Sequence, residues 1–281
     1  MRRHRSYLEA IECRIIDEGL LSSSYINFYK SIYDHQFEIY LYYKEIDYYP
    51  NFINFKGLPL IDIEGISLPN TIKIGLRDSL YSIIKVIKEY HFLKFDQSLD
   101  LNLFSDHQYE EYVRFILLKD FDKLAAIAMV KGIGCEELIF ILINWLKPLF
   151  ICIVEKNSDL IRGNDWIMPS CPFCGYYPDM SKIMESTGGR RYLHCSLCEY
   201  EWPFKRISCA ICDNVDITML GYFETDEKSP YRVDYCDRCR GYIKTVRISK
   251  LRDENRFDLS VENVVTPYLD YLAMERGYSR P

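Results

Sequence analysis

The stretch Cys171-Pro-Phe-Cys174 is the first of four cysteine pairs that decide how this chain is organised. The other three are Cys195-Ser-Leu-Cys198, Cys209-Ala-Ile-Cys212 and Cys236-Asp-Arg-Cys239, and together the pairs hold eight of the 11 cysteines. A pair with two intervening residues can direct both thiolates at one ion, and two pairs complete a tetrahedral shell of four sulfurs. Four pairs therefore predict two metal ions.

The spacing of the pairs favours sequential pairing. Twenty residues separate the first two pairs and 23 the last two, which is enough for a hairpin that returns to its own start, whereas only ten separate the second pair from the third. The predicted first site is Cys171, Cys174, Cys195 and Cys198, and the predicted second site is Cys209, Cys212, Cys236 and Cys239. A cross-braced arrangement, in which the first pair joins the third and the second joins the fourth, stays open.

Other uses of the thiols fit the sequence less well. The chain opens Met1-Arg2-Arg3-His4-Arg5 with no apolar signal segment after it, so an oxidising compartment with disulfides is not indicated. Redox catalysis needs one reactive pair in a strand-to-helix turn, which four pairs at ribbon spacing do not resemble. The knuckle ending at Gly175 is of the rubredoxin type, which zinc ribbons share, and an S4 tetrahedron suits zinc and a single iron alike.

The rest of the sequence predicts an α+β protein. Residues 1–161 show helical periodicity and predict an all-α domain. Short aromatic and β-branched segments between the cysteine pairs predict two tandem rubredoxin-like or zinc-ribbon modules, residues 162–207 and 208–250. A tail, residues 251–281, contains a short helix that starts at Thr266-Pro267 and stops near Gly277.

Charge and hydropathy limit the possible partners. The net charge is −6, with 18 basic against 23 acidic residues in 1–161 and 17 against 18 in 162–281. Neither part is basic, so no nucleic-acid partner is expected. The apolar stretch 138–154 is 17 residues long and has Asn144, Lys147 and Pro148 at its centre, so we interpret it as a buried helix and expect no membrane insertion.

A longer motif surrounds the cysteines. It consists of Trp166 before the first pair, the run Arg191-Tyr192-Leu193-His194-Cys195-Ser196-Leu197-Cys198-Glu199 with Glu201-Trp202, and further Arg206, Tyr242, Lys244, Leu269-Asp270, Leu272 and Gly277-Tyr278. These residues resemble those of a known family, the FdhE formate dehydrogenase accessory proteins. The run from Arg191 to Trp202 is the most specific part.

The resemblance implies a cytoplasmic maturation factor that is needed for active formate dehydrogenase and contacts its catalytic subunit. It favours iron in the two sites, with zinc possible. It also implies that the protein is not an enzyme, and the sequence shows no phosphate-binding glycine loop and no catalytic constellation. The oligomeric state is not predicted.

The residues that flank the second pair form a predicted partner-binding surface. These are Arg191, Tyr192, His194, Glu201 and Trp202. A Trp, a Tyr and an Arg in one patch make a good interface anchor. The alternative is that Trp202 and Tyr192 fill the small ribbon core and that His194, with four thiols already available, only hydrogen-bonds beside the metal.

Two other functions remain open. A zinc-ribbon nucleic-acid-binding protein is the main alternative, with a local basic face formed by Arg190, Arg191, Lys205, Arg206, Arg238, Arg240, Lys244 and Arg247. A metal-using enzyme is a third possibility, although the sequence shows neither an acid, a base nor an open coordination position for it.

Overall fold

The structure, a computed structural model, describes residues 1–46, 53, 57–92, 104–161, 165–253 and 256–280, except for the side chains of residues 2 and 106. The chain divides into two compact units, Met1–Leu160 and Ile161–Pro281, called here the helical unit and the sheet unit. The predicted fold class is confirmed, since helices precede a sheet region with two four-cysteine clusters and a C-terminal helix.

The described part of the helical unit contains six α-helices. They are α1 (Arg2–Asp17), α2 (Ser23–Glu45), α3 (Asn70–Tyr90), α4 (Tyr109–Leu118), α5 (Phe121–Lys131) and α6 (Cys135–Asn157). Capping residues mark the ends of several of these helices. The side chain of Ser22 accepts a hydrogen bond from Tyr25 N at the start of α2, and Asp120 caps α5 in the same way through Lys123 N. Gly132, with φ of 69°, ends α5 in the left-handed conformation.

Helix α6 is the centre of the helical unit and packs against α2, α3, α4 and α5. Its Trp145 is fully buried, donates from Nε1 to the main-chain oxygen of Leu76 at 2.6 Å, and lies edge-on to Tyr109. Ser79 Oγ donates in turn to the main-chain oxygen of Trp145 at 2.9 Å. The aromatic and aliphatic stripes of these helices therefore form a packed core.

One helical stretch among the described residues, Cys135–Ile161, is long and apolar enough to cross a membrane by length and composition. Two thirds of its most apolar window is buried inside the protein. A core helix of a soluble protein passes the same test, so this feature is weak evidence for a membrane span.

The sheet unit is built on one six-stranded sheet. Its strands are β1 (Pro178–Met184), β2 (Arg190–Cys195), β3 (Glu201–Phe204), β4 (Leu220–Phe223), β5 (Tyr231–Cys236) and β6 (Tyr242–Arg247), in the spatial order β3-β2-β1-β6-β5-β4. Neighbouring strands are antiparallel except for β1 and β6, which run parallel with Ser181 opposite Thr245. The two cysteine-bearing halves are therefore continuous through a β1–β6 seam.

Two short helices, α7 (Leu259–Val264) and α8 (Pro267–Glu275), cover one face of this sheet. Leu259 of α7 packs with Met180 and Val246, while Leu269 and Ala273 of α8 pack with Val233. We call this side the helix face. The opposite side, which carries Ser181, Arg191, Arg232, Asp234 and Thr245, is called the arginine face.

Strands β2 to β6 form in short aromatic and β-branched segments of the kind that predicts strands, and two elements were not predicted. Strand β1 contains Pro178, Asp179 and Ser181, residue types that are uncommon in strands. Helix α7 has only six residues, although Asp258 before it accepts hydrogen bonds from Ser260 N and Val261 N as an N-cap should. Residues 162–164, where the first module was predicted to begin, lie outside the described residues. The division into two modules stays a prediction, and strands of both parts share one sheet.

Candidate metal centres

The first cluster brings together the four thiols predicted for site one. Cys171, Cys174, Cys195 and Cys198 are all buried, and their sulfur atoms lie within 4.8 Å of one another. The Sγ atoms of Cys171 and Cys198 are 3.6 Å apart, and Cys174 Sγ lies 3.4 Å from Cys195 Sγ. Cys171 and Cys174 precede β1, whereas Cys195 ends β2, so the β1–β2 hairpin brings the two pairs together.

The second cluster contains the thiols predicted for site two. Cys209 and Cys236 are buried, Cys239 is half-buried and Cys212 is exposed. Cys209 Sγ lies 3.7 Å from Cys239 Sγ, and Cys212 Sγ lies 3.9 Å from Cys236 Sγ. The β4–β5 hairpin returns the chain to this cluster. The grouping is sequential in both clusters and not cross-braced.

The thiol spacing fits a tetrahedral metal shell. A metal–sulfur bond of about 2.3 Å gives a tetrahedron with sulfur–sulfur edges of about 3.8 Å. The shortest sulfur–sulfur distances in the clusters are 3.4 to 3.9 Å, already close to that edge. Two such groups of side chains occur in the described part of the chain, and each could hold one ion.

All four knuckles repeat one backbone geometry. The residue after each pair, Gly175, Glu199, Asp213 or Arg240, has a positive φ between 57° and 73°. The N–H of the first cysteine in each pair donates to the carbonyl five residues later, as Cys171 N does to Tyr176 O at 3.0 Å. Amides also point at sulfur, for example Cys212 N at Cys209 Sγ (3.4 Å) and Gly241 N at Cys239 Sγ (3.4 Å). Such donors stabilise thiolates.

The electrostatics of the first cluster also favour a cation there. Burial raises the pKa of the Cys174 and Cys198 thiols well above the ordinary value. Four thiolates so close together and so deeply buried would repel one another. A divalent or trivalent cation offsets both costs, and for this reason the clusters are better suited to metal than to free thiolates.

His194 lies beside the first cluster but pairs elsewhere. Its Nδ1 is 2.7 Å from Asp179 Oδ1, and Asp179 Oδ2 accepts a hydrogen bond from Asn263 Nδ2 at 3.1 Å. Burial alone would lower the pKa of His194, but Asp179 outweighs burial and raises it to about 9. The imidazole therefore connects β2 to α7, and the group that could hold a metal ion beside it contains cysteines only.

The side chain of Arg191 is buried and links β2 to three other segments of the sheet unit. Its side chain is 4% exposed, and Nε donates to Ser181 Oγ (2.9 Å), Nη1 to the main-chain oxygen of Ser208 (3.0 Å) and Nη2 to Asp234 Oδ2 (3.3 Å). Trp202 is also buried and donates from Nε1 to Met168 O at 2.9 Å. These two residues and His194 offer a partner little surface.

Tyr192 and Glu201 are the members of the predicted partner-binding set that remain half-buried. Glu201 forms an ion pair with Lys182, whose Nζ lies 5.5 Å from the centre of the Tyr192 ring. The three residues adjoin one another on the helix face, since Lys182 lies opposite Tyr192 in the sheet. Partner binding by this set stays a prediction.

Most of the basic residues considered for nucleic-acid binding are neutralised. Five have acidic partners: Arg191 with Asp234, Lys205 with Asp213, Arg240 with Asp237, Lys244 with Asp270 and Arg247 with Glu224. Such pairing removes much of the clustered positive charge on which phosphate binding depends. The alternative function is therefore weakened.

Sequence reasoning missed the acidic partners of the motif. Asp179, Asp234 and Asp270 bind His194, Arg191 and Lys244, from positions 15, 43 and 26 residues away in sequence. Asn214, which donates to Cys236 Sγ at 3.7 Å, was missed as well. Asp270 is part of the motif, but nothing in the local pattern indicates which residues pair, although each buried basic group requires a counter-charge.

Comparisons with known proteins agree with this geometry. Residues 170–206 match a family model described as the central domain of FdhE. A protein FdhE homolog from Aquifex aeolicus is 29% identical over 195 residues, which are 66% of this chain and 67% of that protein. The protein FdhE homolog from a Shewanella species (strain MR-4) is 37% identical over 109 residues, or 38% of this chain, and the match spans about a third (35%) of its length.

A solved structure supports the fold over the whole chain. The crystal structure of the FdhE protein from Pseudomonas aeruginosa superposes with a TM-score of 0.65, covering 99% of this chain and 92% of that one. At 19% sequence identity this likeness establishes the fold alone. The family model and the curated relatives show that this chain is similar to the FdhE family, and the solved structure agrees with them in fold.

Proposed function

We propose that this protein is an accessory factor for the maturation of formate dehydrogenase and that it contacts the catalytic subunit of that enzyme. Similarity to the FdhE family supports this proposal, together with the motif from Arg191 to Trp202, which is longer than metal binding requires. The observation that carries the proposal is the pair of closed four-thiol clusters on one sheet.

The eight clustered cysteines would hold two metal ions. The family resemblance favours iron, and the all-sulfur donor set accepts zinc equally well. A bound ion would clamp the two ends of its hairpin, a contribution of about 10–16 kcal/mol for structural zinc in small peptides. Each knuckle supplies left-handed turns and amide donors to the thiolates, so the chain's own part is to hold the sulfurs in place.

The proposed role is structural support for a client-binding surface and not catalysis. With four thiols at each centre, a bound ion has no position left for substrate. Of the five residues predicted to contact the partner, Tyr192 and Glu201 retain exposed surface and would make direct contact, while the other three would hold β2 and β3 in place. We further propose that the protein acts in the cytoplasm.

The proposal is tested by formate-dependent dye reduction in extracts of a strain that lacks this gene. Rescue by the wild type but not by Cys195→Ser is expected, because Cys195 belongs to the buried first cluster. Cys13→Ser is the matched control, since Cys13 is exposed and lies in α1. Normal dye reduction in the deletion strain would overturn the accessory role.

A further inference from the structure

The arginine face of the sheet contains a cavity of about 290 Å³. One wall is formed by β4 and β5, with Leu220, Tyr222 and Arg232, and the other by the segment that leads into the third cysteine pair, with Arg206 and Ile207. A cavity of about 150 Å³ accepts a benzene-sized molecule. This cavity therefore has room for a small anion or for one side chain of another molecule.

A buried polar network forms the floor of the cavity. Asp234 accepts hydrogen bonds from Arg191 Nη2 at 3.3 Å and from Thr245 Oγ1, and Arg191 is fixed by Ser181 and Ser208. Ser181 and Thr245 are fully buried. Side chains that are held from several directions keep one geometry, which gives the cavity a fixed charge distribution.

The guanidinium of Arg232 lies between Asp234 and the ring of Tyr222. Its Nε lies 3.0 Å from Asp234 Oδ1, and its guanidinium lies 4.6 Å from the centre of the Tyr222 ring. These two contacts orient the planar fork. Among the described residues, the terminal nitrogens of Arg232 have no hydrogen-bond acceptor, so this end of the guanidinium is available to a ligand.

Arg206 contributes a second cation at the rim. Its Nη1 lies so close to Gly189 that a Cβ there would approach it to 2.6 Å, so the absence of a side chain at Gly189 leaves room for the guanidinium. Arg206 forms no ion pair with any residue that the structure describes. Three guanidinium groups thus line a cavity with one carboxylate, Asp234.

We propose that this cavity binds a carboxylate carried on a protein segment, with Arg232 and Arg206 as the anion-binding groups and Arg191 as the residue that positions Asp234. A planar guanidinium fork matches a carboxylate better than any other side chain does. Exposed apolar side chains at the rim, Ile207 and Tyr222, favour a ligand with apolar groups beside its charge. This inference is independent of the accessory role.

The cysteine that also lines the cavity supplies a competing explanation. Cys209 belongs to the second cluster, and the arginines could serve only to balance the charge of its thiolates. In that case no external anion would bind. The two explanations predict different results in a direct measurement of anion binding.

The test is calorimetric titration of the full-length, metal-loaded protein at low salt. The probes are a blocked peptide with one glutamate between apolar residues, the same peptide with glutamine, sodium acetate and inorganic phosphate. We expect saturable binding of the glutamate peptide and none of the glutamine peptide. Arg232→Gln and Arg206→Gln should each weaken binding about tenfold, the factor for loss of a charge-assisted hydrogen bond.

Arg190→Gln is the matched control, because Arg190 is exposed and adjoins Arg191 on the same strand but does not line the cavity. It should leave binding within about twofold of wild type. If Arg232→Gln loses its fold by leaving Asp234 with one partner fewer, Arg206→Gln still tests the proposal because Arg206 is exposed.

The comparison of probes identifies the source of the anion. Tighter binding of the glutamate peptide than of acetate or phosphate supports a carboxylate on a protein segment. Tighter binding of phosphate or acetate would overturn the protein source and leave a site for free oxyanions. No saturable binding of any probe up to about 10 mM, or equal binding by wild type and both cavity variants, would overturn the site altogether.

Discussion

Lys244 of β6 and Asp270 of α8 form a buried ion pair in which Nζ lies 2.7 Å from Oδ2. Lys244 is 1% exposed and also donates to the main-chain oxygens of Asn263 (2.7 Å) and Thr266 (3.3 Å). Tyr242 and Arg280 donate to the other oxygen of Asp270. The two residues belong to separate pieces of the family motif, and their contact fastens the C-terminal helix to the sheet.

Replacement of Asp270 by asparagine should therefore destabilise the sheet unit strongly. The change leaves Lys244 as a buried charge without its counter-ion, a loss of about 3–5 kcal/mol in the free energy of unfolding. Urea titration of the variant and of wild type measures the difference. The control is Asp237→Asn, whose partner Arg240 is half exposed, with an expected loss of no more than about 1 kcal/mol. Equal losses in the two variants would contradict the importance of burial.

The same lysine predicts a pH dependence. Burial is the largest influence on Lys244 and lowers its pKa to about 7, against about 10.4 in an unfolded chain. Between these values the unfolded state binds a proton that the folded state lacks, so this group makes the free energy of unfolding rise with pH. The difference in stability between wild type and Lys244→Met should shift in favour of wild type from about pH 7 to about pH 10. A constant difference would contradict the lowered pKa.

Removal of metal should unfold the cysteine-bearing part of the chain selectively. The hairpins at the clusters are too small to be stable by apolar burial alone, whereas the helical unit has its own core around Trp145. After chelation we expect new protease cleavage within residues 171–240 and retention of most of the helical circular dichroism signal. An unchanged cleavage pattern in metal-free protein would refute this expectation.

The two cysteine clusters should differ in how easily reagents in solution reach them. Every cysteine of the first cluster is at most 1% exposed, whereas Cys212 of the second is exposed and Cys239 is half-buried. A chelator or an alkylating reagent should therefore reach the second cluster first. Timed alkylation followed by mass spectrometry should find Cys212 modified well before Cys195. Simultaneous modification of the two would indicate that both clusters open in one step.

Arg191 should act on stability more than on partner binding. Arg191→Met removes three hydrogen bonds that join β2 to Ser181, Ser208 and Asp234, and should lower the free energy of unfolding by about 3 kcal/mol. The neighbouring Arg190→Met, at an exposed position, should change it by less than about 0.5 kcal/mol. Thermal unfolding of the two variants distinguishes the roles. A stable Arg191→Met variant that fails to bind the client would restore the interface hypothesis.

Local patterns explain how much of the fold was predictable. Helical periodicity with capping residues such as Ser22 and Asp120 marks helices because each signal acts within a few residues. Cys-x-x-Cys spacing likewise identified both thiol clusters and their sequential grouping. Strand β1 was not predicted because several of its residues are of types that favour turns. It forms a strand through its pairing with β2 and β6.

The succession of a helical region and a cysteine-bearing sheet region, the two four-cysteine groups and the left-handed turn at Gly175 were all predictable from the amino-acid pattern. They follow from residue spacing and from backbone sterics, which act locally. Three-dimensional packing, in contrast, set the parallel pairing of β1 with β6, the burial of Arg191 and the contact between Lys244 and Asp270. These features join residues far apart in sequence: Lys244 lies 26 positions from Asp270, and Arg191 lies 43 positions from Asp234. The physical cause is that a buried charge needs a counter-charge and an open strand edge needs a neighbouring strand. The local sequence does not indicate which residue or strand will serve as that partner.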